Sequence, residues 1–86
     1  MSKNGEQART CEIIDLVDEI KPLMSGRHPK VQAGALAELL SLWLAGHWIP
    51  GQKEETTHLR DSLLTMHVEF VRSLTELNSK ELGTDQ

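Results

Sequence analysis

The chain has 86 residues, of which 26% are charged and 38% hydrophobic, and carries a net charge of −4 at neutral pH. That length bounds it to one small domain, and the composition is that of a folded protein through the middle of the chain. The acidic balance argues against nucleic acid as the main partner, because phosphate binding needs a basic patch, and Arg27-His28-Pro29-Lys30 is too short to be one.

A single cysteine, Cys11, leaves no intramolecular disulfide, consistent with a reducing cytoplasm. The opening Met-Ser-Lys-Asn-Gly-Glu has no apolar stretch of the kind a signal peptide needs. The longest apolar run falls well short of the ~20 residues that span a bilayer. The expected protein is cytoplasmic, without a membrane segment.

Residues 1–7 are polar and read as a flexible tail. A first helix is expected over 8–20, where Ile13, Leu16, Val17 and Ile20 recur at helical spacing. Pro22 should end or kink it near Lys21, since the residue before a proline avoids the α region. A second helix is expected over 29–45. Pro29 suits its first turn, His28 is a poor N-capping residue, and Gly46 fits a left-handed C-terminal position.

This second helix is the spine of the chain. Leu36, Leu39, Leu40 and Trp43 centre an apolar arc widened by Ala33, Ala37 and Leu44 on one side and by Val31, Ala35 and Leu42 on the other. The arc covers about 240°, far wider than the stripe of an ordinary surface helix. Two neighbouring helices cannot easily cover it, so the expected assembly is a homodimer.

His47 to Gln52 connects to the third helix, with Pro50-Gly51 as its turn and Trp48 and Ile49 expected to fold back as apolar plugs. The third helix is expected over 53–77, with Glu54 and Glu55 in its first turn, where carboxylates suit the positive end of the dipole. Leu59, Leu63, Met66, Phe70, Leu74 and Leu77 form its stripe. At about 37 Å against about 28 Å for the spine, its end overhangs a simple hairpin. Leu74 and Leu77 then need another surface. Residues 78–86 read as a second flexible tail. The fold class is all-α, a three-helix, mainly antiparallel bundle completed by dimerisation, in a single domain 1–86.

Two polar residues fall inside apolar faces. An antiparallel hairpin turning at Pro50 places Gln32 and His67 at about the same height. The simpler reading is an amide–imidazole pair that fixes helix register, since buried polar groups generally have partners. The alternative is a small polar site, made by Gln32, His67 and Trp43, that binds a small ligand or a metal.

The other chemistry-bearing residues do not converge. His28, His47, His58 and His67 lack the spacing that puts two ligands on one helix face. Glu55 and His58 have Glu-x-x-His spacing, but a carboxylate-bridged di-metal bundle needs two such pairs. Cys11 has Glu12 and Asp15 nearby, and acidic neighbours make a thiol less reactive. No nucleophile elbow or phosphate loop occurs, so no catalytic residue, metal ligand or cofactor is assigned. The expected function is non-enzymatic protein–protein interaction: self-association, and docking to or regulation of a partner protein. Its candidate interface is Val31, Ala35, Leu42, Trp48, Leu74 and Leu77.

Overall fold

The computed structural model describes residues 3–86. These residues form three α-helices and no strand: α1 (Lys3–Met24), α2 (Pro29–Ala45) and α3 (Lys53–Leu82). Packing groups the chain into two compact units, the first up to Leu36 and the second Ala37–Gln86.

In the first unit α1 is longer than its apolar periodicity suggests. Of the expected flexible stretch 1–7, Met1 and Ser2 lie outside the described residues, and the chain is helical from Lys3. Glu6, Gln7, Ala8 and Arg9 are all good helix formers, and extending an existing helix costs far less than nucleating one. Pro22 does not end the helix near Lys21. It lies within the last turn, where the missing N–H forfeits one backbone bond and the ladder resumes from Ser25 N–H to the Lys21 carbonyl at 2.9 Å. The stop comes at Gly26, whose φ of 76° needs a residue without a Cβ.

His28 is a better cap than expected. Its Nδ1 accepts the Lys30 backbone N–H at 3.1 Å, satisfying one orphan donor of the first turn of α2. Its carbonyl accepts Val31 N–H at 2.9 Å and Gln32 N–H at 3.0 Å.

In the second unit α2 ends without a left-handed glycine. Gly46 is not among the positive-φ residues, and its N–H continues the helical ladder to the Leu42 carbonyl at 3.0 Å. The expected C-terminal glycine motif is absent, and Arg60 from α3 binds the Leu44, Ala45 and His47 carbonyls. The turn that follows is as expected: Gln52 N–H bonds the Ile49 carbonyl at 3.0 Å around Pro50 and Gly51, with Gly51 at φ 74°. This is the type II pattern, proline second and left-handed glycine third.

Helix α3 continues through Asn78–Leu82, part of the stretch 78–86 expected to be a tail. Those residues are polar but helix-compatible, and the stop signal is Gly83. At φ 72° its N–H reaches the Lys80 carbonyl at 3.2 Å, while Thr84 N–H reaches the Ser79 carbonyl at 2.8 Å. This paired closure is a Schellman motif.

Within one chain the spine is not buried. Helix α2 contains no buried residue, and no hydrophobic side chain is buried among the described residues.

Candidate functional site

The second unit is held by two polar fastenings at the loop between α2 and α3. The first is Thr56, the one buried polar residue among those described. Its hydroxyl accepts the Ile49 N–H at 2.9 Å and donates to the Gln52 carbonyl at 2.7 Å, with the Ile49 carbonyl at 3.3 Å. Gln52, the residue before α3, makes no side-chain cap bond. Thr56, one turn inside the helix, fixes the loop in its place.

The second fastening is Arg60. Its Nε donates to the carbonyls of His47 at 2.9 Å and Leu44 at 3.2 Å, and Nη2 donates to Ala45 at 2.9 Å. These carbonyls sit at the negative end of α2, so the guanidinium both satisfies orphan acceptors and complements the dipole. A depression lined by Trp48, Ile49, Gln52, Lys53, Thr56 and Arg60 lies over this loop. Arg60 is already committed to backbone there.

Beyond the loop α2 and α3 remain in contact. His47 Nδ1 lies 2.7 Å from the Trp43 carbonyl, so in the neutral ring that nitrogen donates. The Trp43 ring meets His47 edge-on, with centroids 4.8 Å apart, and lies 5.9 Å from the His67 ring. The structure therefore brings the Trp43 and His67 rings near one another. Leu40, Leu44 and His47 on one side, and Leu59, Leu63 and His67 on the other, are half-buried.

Gln32 belongs to the first unit, and its amide Nε2 donates to the Met24 carbonyl at 2.8 Å. This bond ties the first turn of α2 to the end of α1. Gln32→Leu should destabilise the protein by about 1 kcal/mol, the usual worth of one such bond. Urea unfolding at fixed protein concentration checks this, and an unchanged midpoint would remove the fastening role.

Of the residues expected at an interface, Val31, Leu42, Leu74, Leu77 and Trp48 are exposed in the single chain, and Ala35 is half-buried. Trp48, expected to plug a helix end, is 61% exposed and does not. The Ile49 side chain is also on the exposed side, although its backbone is held by Thr56. One exposed apolar stripe runs along α3. Met66, Phe70, Leu74 and Leu77 fall on one face at spacings of four, four and three, and are 56, 62, 53 and 60% exposed.

Thr56 and Arg60 escaped the sequence reading. A threonine one turn into a helix is usually solvated, and Arg60 becomes a helix cap only once the hairpin has closed. Cys11 is a free, exposed thiol on α1. Among the described residues no three His, Cys, Asp or Glu side chains come together. No helix there is long and apolar enough to cross a membrane. No protein-family model, characterised protein or solved structure matches this chain.

Proposed function

We propose that this chain is a non-enzymatic helical interaction protein of the cytoplasm. It pairs with a second copy to complete a helical bundle, and uses apolar surface left over to dock onto or regulate a partner protein. The observation that carries this reading is the absence of any buried hydrophobic side chain among the described residues, beside twenty large hydrophobic side chains that are exposed. Scattered exposed leucines are ordinary, but contiguous apolar stripes mark surfaces that other proteins cover. A net charge of −4 disfavours nucleic acid or an anionic membrane as the covering surface.

The reading is tested by the mass of the purified protein in solution across a dilution series. The expected mass is twice that of the chain. A monomer at every concentration, which also captures no protein from its native cell, would leave the apolar surface without a function and end the proposal.

A further inference from the structure

We infer that the depression over the α2–α3 loop binds a small organic acid with an aromatic body, its carboxylate held by Lys53 and Arg60 and its ring laid against Trp48. The inference goes beyond the interaction reading and does not rest on it. All of the lining residues belong to the second unit.

Charge singles out the place. Acids outnumber bases in this chain by 13 to 9, yet the depression is lined by two bases, Lys53 and Arg60, and by no acid. Glu54 and Asp61, from the same stretch of α3, line a neighbouring hollow with His58 instead. Neither base has a carboxylate partner, since among the described residues the one ion pair joins Lys21 to Asp18. Arg60 spends Nε and Nη2 on the carbonyls that end α2, and its Nη1 makes no hydrogen bond within the described residues. A carboxylate between Nη1 and Lys53 gives both a charge-assisted partner. With two of its nitrogens already engaged, Arg60 suits a monoanionic head rather than a phosphate dianion.

The apolar side of the depression is as specific. Trp48 is 61% exposed, and the ring pairs among the described residues all involve Trp43 instead. An open indole beside two cations offers its face to a second ring, and such pairs contribute beyond the area they bury. The wall is fixed before a ligand arrives. Thr56 ties the Ile49 N–H and the Gln52 carbonyl across the turn, so little ordering is left to oppose binding. The depression holds about 540 Å³, within the range of small-molecule sites.

The test is titration of the isotope-labelled full chain with phenylpropionate, followed by NMR at the Trp48 indole N–H and the Lys53 and Thr57 amides. The shifts should saturate. Phenylpropanol, the same body without the charge, should bind about fivefold more weakly, and phenyl phosphate no more tightly than the carboxylate. Trp48→Ala should weaken binding about tenfold and Lys53→Gln about threefold. Neither side chain makes a hydrogen bond that holds the loop, and circular dichroism and sedimentation check that helix content and mass match the parent. Lys53→Glu, which sets a like charge at the carboxylate, should abolish saturation, and it decides the case if Trp48→Ala alters the fold. Shifts that stay linear through the millimolar range, or saturable binding that the Lys53 variants leave unchanged, would overturn the site. Equal binding of the alcohol, or tighter binding of the phosphate, would overturn recognition of a carboxylate.

Discussion

Thr56→Val should destabilise the protein by about 2 kcal/mol, although valine has almost the shape of threonine. The hydroxyl does work that shape does not. It accepts the Ile49 N–H at 2.9 Å and donates to the Gln52 carbonyl at 2.7 Å, spanning the Pro50-Gly51 turn. Valine leaves the Ile49 N–H without a partner beside a residue only 9% exposed. An unsatisfied donor in such a place costs about 1–3 kcal/mol, more than the net worth of the bond itself. Thr56→Ser keeps both bonds and loses one methyl group, so its expected cost is well under half as large. Urea unfolding at one fixed protein concentration compares the two variants without the concentration dependence expected of a dimer. Equal midpoints for Val and Ser would show that the hydroxyl does not hold the turn.

This pair of substitutions also marks where sequence reading stops. The three helices were legible because Ile13, Leu16, Val17 and Ile20, the Leu36–Trp43 set and the Leu59–Leu77 stripe each recur at helical spacing. The turn at Pro50-Gly51 was legible because those two residues strongly restrict the backbone. Ends governed by subtler chemistry were not. Residues Asn78–Leu82 have no apolar rhythm, and the glycine that closes their helix stands at position 83. Pro22 does not end α1 where its residue type predicts, because a proline in a last turn removes a single bond.

The candidate surface divides in the same way. Its apolar residues are expected from excess: the arc on the second helix is wider than two neighbours easily cover, and the third helix is longer than the second. Trp48 does not plug a helix end, because the loop is held by the backbone of Ile49 and not by an indole. Contacts between residues far apart in sequence, such as Arg60 on the carbonyls of Leu44, Ala45 and His47, carry no local signal. They exist only after the hairpin has formed.

Arg60→Ala should cost about 2 kcal/mol. The guanidinium holds the carbonyls of Leu44, Ala45 and His47, and α2 has no basic residue in its last turn and no left-handed glycine to take its place. The partial exposure of the site lets water replace some of these bonds, which keeps the cost near that of one strong charge-assisted contact rather than three. Arg60→Lys retains the charge but loses the planar fork that reaches separate carbonyls at once, so it should recover less than half of the loss. Thr56 and Arg60 lie one turn apart on α3 and hold opposite ends of one loop, so their effects should not be independent. Once either end is free, the other restrains less. The double variant Thr56→Val, Arg60→Ala is therefore expected to lose less stability than the two single losses added together. Simple additivity would mean that the two fastenings act on separate parts of the fold.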